Sequence, residues 1–330
     1  MSEIPFENLL ASLLDDETRL HPRYFYRLSD LDPTEIETLK RTWYDIPLWR
    51  QQALMEDLEE FCKTDTLLSF ESVARNVIDD DNPKVRSNAI RILNEGDAKD
   101  LIPKFINILI EDNDADVRAE AALALGHFVY LGELDELPKI TQQEVETILL
   151  KTIDHDPAKI VRRRALEAVS FSSREDVPAL IQKAYDSGDK EWMISAIFGM
   201  GRSADRRWSD NVILMLEDRT PAIRAEAARA AGELEIRETV LQLIELLDDI
   251  DDDVRSASIW SLSQIGGEGV RQSLEWLLDQ TEDYGEINLL EAALDNLAFT
   301  EDISDLDVLE ADEEFPYTNG INDDEEEFGD

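Results

Sequence analysis

Apolar residues recur with helical spacing along the middle of the chain, and the sequence of one amphipathic helix is repeated several times. The segment DADVRAEAALALG (114–126) places Val117, Ala121 and Leu125 on one stripe of a helix. A similar segment, TPAIRAEAARAAG, follows at 220–232. Because small residues in the middle of the stripe allow neighbouring helices to approach closely, the pattern predicts packed helices that repeat along the chain.

A branched apolar residue followed by an arginine marks each copy of this helix. The steps from Arg162 to Met193, Arg224 and Arg255 are each 31 residues, with Trp192-Met193 standing in the place of one pair. A fixed period of this length is typical of stacked helical hairpins, and an apolar helix precedes each marked helix. The pairs are Val85-Arg86, Val117-Arg118, Val161-Arg162, Ile223-Arg224 and Val254-Arg255.

Turn residues predict where the marked helices begin. Asn82, Asp156 and Thr220 each precede a proline, and a capping side chain before a proline is typical of a helix start. One step is longer than the others, since 44 residues separate Arg118 from Arg162. We therefore expect an insertion at 128–140 that lengthens a loop, either for function or as a spacer.

The arginine of each pair lies about 100° around the helix from its valine, at the edge of the apolar stripe. There its stem can pack and its guanidinium can reach an acid of the adjacent repeat. We interpret this column as a structural ladder, and a ligand site is the alternative. The ladder consists of Arg86, Arg118, Arg162, Arg224 and Arg255.

The phrase D-x-V-R-x-x-A-x-x-A-L-G, as it stands at 116–126, resembles HEAT repeats of the type also found in phycobilisome lyases. The resemblance covers 66–299, about seven repeats when the divergent segment 285–299 is included. It implies an all-α fold, a right-handed α-solenoid of HEAT-like helical hairpins. Proteins of this kind include scaffolds, lyases, hydroxylases and DNA glycosylases, so the resemblance leaves the function open.

In HEAT-like stacks the outward face of the second helix of each hairpin lines a concave groove. The residues two and six positions after each marking valine are expected on this face. Phe198 and Trp260 are apolar at such positions, which indicates either contact with the adjoining repeat or a binding hot spot. The candidate concave binding face consists of Arg91, Leu123, Arg163, Glu167, Phe198, Arg229 and Trp260. Because basic residues concentrate there, we expect an acidic or amphipathic peptide, from a partner or from the protein's own acidic tail by intramolecular docking.

The two ends of the chain do not follow the repeat. Residues 1–65 are rich in aromatic side chains and are predicted to form a helical N-terminal cap, with a peptide-binding patch as the alternative. Residues 300–330 carry 14 acids and no Lys or Arg. Such a segment cannot bury enough apolar surface to fold, so it is predicted to be a disordered tail that either keeps the protein soluble or carries a short binding motif.

Charge and composition exclude several kinds of function. With 76 acids against 32 bases the formal net charge is -44, so neither nucleic acid nor a membrane is an expected partner. The single cysteine, Cys62, excludes an intramolecular disulfide, and no signal peptide or membrane span is evident. We therefore expect a cytoplasmic protein.

Catalytic motifs are missing from the sequence. The histidines His21, His127 and His155 form none of the His-Glu pairs through which HEAT-like hydroxylases bind metal, so no metal or cofactor is expected. The sequence favours a non-catalytic scaffold or adaptor that binds a protein or peptide on the concave face of the solenoid. The alternative is a lyase or hydroxylase-like enzyme built on the same repeats.

Overall fold

The computed structural model describes residues 4–29, 31–65 and 67–311, and within these ranges it contains eighteen α-helices and no β-strand. The chain divides into two compact units, Met1–Trp208 and Ser209–Asp330. The helices of the first unit are α1 Phe6–Leu14, α2 Arg23–Leu28, α3 Pro33–Thr42, α4 Leu48–Thr64, α5 Glu71–Val77, α6 Pro83–Asn94, α7 Ile102–Glu111, α8 Ala115–Glu133, α9 Lys139–His155, α10 Lys159–Val169, α11 Val177–Tyr185 and α12 Lys190–Arg202. Those of the second are α13 Ser209–Met215, α14 Pro221–Glu233, α15 Val240–Glu245, α16 Asp252–Ile265, α17 Val270–Gln280 and α18 Tyr284–Ala311.

Consecutive helices of the first unit pair into hairpins, and the second helices of these hairpins stack on one another. Helices α5 to α12 form four hairpins, in which α6, α8, α10 and α12 are the second helices and each packs on the next. The N-terminal helices join the same arrangement, since α3 packs on α5 and α4 packs on α6. The predicted N-terminal helices thus cover the first hairpin in the manner of a further repeat.

The second unit has the same construction. Helices α13 to α18 form three hairpins, and α14, α16 and α18 pack in that order. Short 3₁₀ turns join several helices of the two units, at Trp43–Asp45, Lys99–Leu101, Arg206–Trp208, Arg237–Thr239 and Leu246–Asp248. The all-helical fold of stacked hairpins agrees with the fold class that the repeat pattern predicts.

Small residues set the distance between stacked second helices. Gly126 of α8 faces α10 so closely that a Cβ atom at this position would lie 2.9 Å from the Cα atom of Ala168. Val117, Ala121 and Leu125, the predicted stripe, are fully buried on α8. The core of each unit therefore lies along the stripes of its second helices.

The helix starts agree only in part with the turn residues of the sequence. The Asn82 side chain accepts hydrogen bonds from the backbone N–H groups of Lys84 and Val85 and caps α6 as expected. Thr220 precedes α14 but makes no side-chain cap. Helix α10 begins at Lys159 rather than at Pro157, because the Asp156 carboxylate binds the Ala158 backbone N–H and an arginine of the preceding repeat instead.

The expectation of a lengthened loop at 128–140 is wrong. Helix α8 continues to Glu133, and α9 begins at Lys139, so the additional residues lengthen the two helices. Phe128, Val129 and Leu131 are buried and extend the apolar stripe of α8, which keeps this segment helical.

The C-terminal helix passes the boundary that the sequence suggests for the acidic tail. Helix α18 continues beyond residue 299 and ends at Ala311. Residues 312–330 lie outside the described residues, so the disorder of the tail stays a prediction.

Candidate functional site

Three of the five ladder arginines each bind both carboxylate oxygens of an aspartate in the neighbouring repeat. In each pair the arginine Nε and Nη2 atoms donate to the two carboxylate oxygens. The pairs are Arg86 with Asp112 at 2.8 and 2.8 Å, Arg118 with Asp156 at 2.9 and 3.1 Å, and Arg224 with Asp249 at 2.8 and 2.8 Å. The paired side chains are largely buried, with exposed fractions between 9% and 15%. Two-point contacts of this kind are the strongest ion pairs that a guanidinium forms.

The same arginines also hold the turn before their own helix. Nη1 donates to the backbone carbonyl six residues earlier: Arg86 to Asp80, Arg118 to Asp112 and Arg224 to Asp218. The hydrogen bond from Arg224 holds the pKa of Asp249 below its ordinary value, and the one to Asp156 raises the pKa of Arg118. Each of these arginines therefore forms hydrogen bonds with two successive turns.

The ladder has different partners at its two ends. Asp80 occupies the acid position before Arg86, and its carboxylate accepts a hydrogen bond of 2.7 Å from the Trp43 indole Nε1. Arg255 binds Glu286 of α18 at 3.1 Å in place of an aspartate. The N-terminal helices are thus fixed to the first hairpin by Trp43, an aromatic residue that takes the place of an arginine.

Arg162 is the exception among the five predicted ladder residues. Its Nε atom is buried without a hydrogen-bond partner, and its guanidinium forms no ion pair with any residue that the structure describes. Arg162 lines a cavity with Trp192 and Ser187.

Two residues of the candidate binding face are buried instead of being exposed. Arg163 donates from Nε to the Ser195 hydroxyl at 2.9 Å, and that hydroxyl donates to Glu167. Arg163 has an exposed fraction of 9% and Glu167 one of 2%. The sequence interpretation of these two residues as surface residues is therefore wrong, because α10 and α12 pack closely enough to enclose them.

Arg91 and Leu123, the two members of the candidate binding face nearest the N-terminus in sequence, are partly accessible. Arg91 is partly exposed and bridges Glu59 at 3.4 Å and Glu120 at 2.7 Å. Leu123 is half-buried on α8. Arg91 therefore already has two acidic partners within its own unit.

Phe198 belongs to a group of aromatic side chains that the repeat pattern did not reveal. Its ring is half-buried, and the Arg202 guanidinium lies 5.1 Å from its centroid. The same guanidinium lies 5.7 Å from the Phe171 centroid, and Phe171 lies 5.8 Å from Tyr130. We call Tyr130, Phe171, Phe198 and Arg202 the aromatic surface. Tyr130 and Phe171 do not occupy equivalent positions in their repeats. The repeat pattern therefore could not predict that their side chains lie together.

In the second unit, Arg229 and Trp260 make contacts within the repeats. Arg229 pairs with Glu226 on its own helix at 3.1 Å. Trp260 is 36% exposed, and its ring lies against α14 so that a Cβ atom on Gly232 would approach its Cζ3 atom to 2.7 Å. Of the two interpretations of Trp260, the contact with the adjoining repeat is therefore present.

The histidines and the cysteine are engaged in local contacts. His127 Nε2 lies 2.6 Å from an Asp97 oxygen, and His155 Nδ1 lies 2.9 Å from the Lys151 carbonyl oxygen. His21 accepts a hydrogen bond from the Arg23 backbone. Burial, together with the nearby carboxylates of Glu95 and Glu59, raises the pKa of Cys62 to about 11. The thiolate that a nucleophile requires is therefore scarce near neutral pH.

Two absences hold for the described part of the chain. It contains no group of three or more His, Cys, Asp or Glu side chains arranged to hold a metal ion. Within the same residues, no helix combines the length and the apolar character needed to cross a bilayer.

Solved structures with a similar arrangement of helices include three proteins. The Escherichia coli protein YibA is 18% identical, with 86% of this chain and 99% of that chain covered and a TM-score of 0.42. Human deoxyhypusine hydroxylase is 18% identical, with 89% and 96% covered and a TM-score of 0.36. Importin beta is 13% identical, with 82% and 43% covered and a TM-score of 0.44. At these identities and TM-scores the likeness supports no conclusion about this chain.

No curated protein matches the sequence. The family model for HEAT repeats, in contrast, matches residues 72–170 and 209–298. These two regions coincide with the hairpins from α5 to α10 and with those from α13 to α18. Since the match covers more than half of the sequence and falls on the helical hairpins themselves, the chain belongs to the HEAT-repeat family.

Proposed function

We propose that this protein is a non-catalytic scaffold or adaptor that binds a protein or peptide segment on the aromatic surface of its first unit. The observation that supports this proposal is the chain of ring contacts from Tyr130 through Phe171 to Phe198, with Arg202 over the last two rings. Tyr130 is 45% exposed. Tyrosine and arginine are enriched among the residues that dominate binding energy at protein interfaces.

Buried hydrogen bonds hold in place the helices that carry the aromatic surface. Ser172, next to Phe171, donates to the buried Glu146 carboxylate at 2.8 Å. On the helix that carries Phe198, the Ser195 hydroxyl accepts a hydrogen bond of 2.9 Å from Arg163 of α10. Fully satisfied buried networks rigidify the elements that carry them, and a rigid surface loses little conformational entropy when a ligand binds. Arg163 and Glu167 thus act as support for the binding surface rather than as part of it.

The chemistry of the surface favours a ligand with apolar side chains in an amphipathic arrangement. The rings of Phe171 and Phe198 offer an apolar contact area, and the Arg202 guanidinium adds positive charge beside them. The chain as a whole is strongly acidic, with a net charge of -44, so a uniformly acidic ligand would be repelled at long range. An amphipathic segment that presents apolar residues to the rings satisfies both conditions.

The test combines capture of partners with crosslinking at a defined position. We expect the Tyr130→Ala/Phe198→Ala double variant to lose proteins that the full-length parent captures from a lysate of its source. The matched control is Leu214→Ala/Leu241→Ala, which removes two apolar side chains of the second unit that are 63% and 74% exposed. The melting temperatures of both variants are measured first, since a severe loss in the aromatic variant would assign Phe198 to the core.

Crosslinking decides whether a captured protein contacts this surface. With p-benzoylphenylalanine in place of Tyr130, we expect crosslinks to a captured protein that are missing when the same group replaces Leu241. The proposal is contradicted when the double variant captures the same proteins as the parent, or when both crosslinking positions give the same products.

A further inference from the structure

The ladder aspartates occupy a fixed position in the repeat, and this position predicts where the partner of Arg162 would stand. Asp112, Asp156 and Asp249 each lie six residues before the next arginine in the ladder, at Arg118, Arg162 and Arg255. Each of these aspartates binds the arginine of the preceding repeat with both oxygens. By the same register, the partner of Arg162 would stand six residues before Met193.

That position is occupied by Ser187, which cannot supply a carboxylate. Ser187 otherwise resembles the ladder aspartates, because its Oγ accepts a hydrogen bond from the backbone N–H two residues later, at 3.2 Å from Asp189. Asp112 makes the equivalent contact to the Asp114 N–H at 2.9 Å. The turn at position 187 is thus the same as in the other repeats, but this position lacks the carboxylate that would pair with Arg162.

A cavity lies beside the position where the ladder carboxylate is missing. Arg162 and Ser187 both line a cavity of about 300 Å³ in the first unit. The Arg162 Nε atom is buried, and it has no hydrogen-bond partner among the described residues. The apolar part of the lining consists of Ile153, Leu166, Leu180, Ala184 and Trp192.

A second positive charge lies at the same cavity. Lys183 is exposed, lines the cavity and forms no ion pair within the described part of the chain. Asp154, the single acid in the lining, is exposed and is not bound to either cation. In a chain with 76 acids and 32 bases, two cations that share a cavity without an acidic partner are unexpected.

We propose that this cavity binds a carboxylate attached to an apolar group, with the ligand's carboxylate in the place of the absent ladder aspartate. The Arg162 guanidinium donates to the ligand's oxygens as Arg118 donates to Asp156, and Lys183 adds positive charge at the rim. The apolar group packs against Trp192 and the aliphatic side chains of the lining. A planar guanidinium matches both oxygens of a carboxylate, which favours this group over a neutral one. This site is separate from the aromatic surface and does not depend on the function proposed for it.

The test uses 3-phenylpropionate and its neutral amide, 3-phenylpropionamide, as probes of the full-length protein. We expect the acid to bind saturably by calorimetry, at least tenfold more tightly than the amide. The side-chain Nε–Hε resonance of Arg162, observed by NMR on arginine-labelled protein and assigned by its loss in Arg162→Gln, should shift with the acid and not with the amide.

Ser187→Asp provides the decisive variant, because it adds the ladder carboxylate to the chain itself. We expect it to abolish binding of 3-phenylpropionate and to shift the Arg162 resonance in the absence of any probe. The matched control, Ser173→Asp, adds the same charge at an exposed serine outside the cavity lining and should leave the affinity within about twofold.

Three results would overturn the proposal: no binding of the acid at millimolar concentration, equal binding of acid and amide, or parent-like affinity in Ser187→Asp. Should Arg162→Gln fail to fold, Ser187→Asp still gives the answer, since it leaves every cavity side chain except one unchanged.

Discussion

Arg224 contacts two successive turns with one side chain. Its Nε and Nη2 atoms donate to Asp249, and its Nη1 atom donates to the Asp218 carbonyl oxygen. Only 14% of the side chain is exposed. Because these hydrogen bonds are largely shielded from water, removing the guanidinium takes three of them away from a carboxylate and a carbonyl group that water reaches poorly.

We expect Arg224→Ala to lower the free energy of unfolding by about 1 to 3 kcal/mol, more than a typical surface substitution. The matched control is Arg162→Ala, which removes a guanidinium that has no partner among the described residues and should cost less. The two variants are compared by denaturant unfolding. A midpoint equal to that of the parent for Arg224→Ala would show that the ladder contributes nothing to stability.

The depressed pKa of Asp249 makes this contribution depend on pH. A carboxyl group with a lower pKa in the folded state stabilises the protein above its unfolded pKa, about 3.9 for aspartate, and loses that effect as the pH falls through the folded value. We expect Asp249→Asn to lower the melting temperature at pH 7. The difference from the parent should shrink as the pH falls below about 4.

Thermal unfolding across this pH range measures the effect. Asp279→Asn, which changes an exposed acid of α17, provides the control and should track the parent at every pH. A difference between Asp249→Asn and the parent that stays constant from pH 7 into acid would contradict the assignment.

At the scale of the helices, contacts between neighbouring repeats depend on residues without large side chains. The added Cβ atom of an alanine at position 126 of α8 would lie 2.9 Å from the Cα atom of Ala168 and 3.1 Å from its Cβ atom. Since one of these is a backbone atom, the clash cannot be relieved by rotating a side chain. The helices α8 and α10 would have to move apart.

We therefore expect Gly126→Ala to destabilise the protein by about 1 to 3 kcal/mol, in spite of the higher helix propensity of alanine. Gly96→Ala is the matched control, because a Cβ atom there would meet nothing within 4 Å. Unfolding by urea gives both values. If Gly126→Ala proved as stable as the parent, the close approach of the two helices would be disproved.

Across the whole molecule, charge opposes the compact state. The formal net charge of -44 produces repulsion between acids that are not paired with a base. Salt screens exposed charges over long distances and affects the buried ladder pairs much less.

We accordingly expect the melting temperature to rise when NaCl is increased from about 0.01 M to about 0.1 M, which shortens the Debye length from about 30 Å to about 10 Å. Differential scanning calorimetry at neutral pH measures this, with equal osmolality of sucrose as the control for effects other than screening. A melting temperature that falls with salt would mean that exposed ion pairs outweigh the repulsion.

The repeat and its helices follow from the sequence because they depend on neighbours along the chain. The stripe of Val117, Ala121 and Leu125 is set by the helical period, and it is buried as predicted. The HEAT-like character of the chain was visible in the repeated phrase itself. The N-cap at Asn82 could be predicted for the same reason, since its side chain binds backbone groups two and three residues later.

The identity of each contact between repeats was decided only by the tertiary structure. Arg118 and its partner Asp156 are 38 residues apart, and Trp43 reaches Asp80 across 37. Arg163 and Glu167 were expected at the surface, and close packing of α10 on α12 encloses them. Local periodicity specifies the direction of a side chain relative to its own helix, whereas its burial and its partners depend on how closely the next helix packs. For that reason the sequence determined the repeated helix and the place of its arginine, and only the packing of neighbouring hairpins determined which residues each arginine contacts.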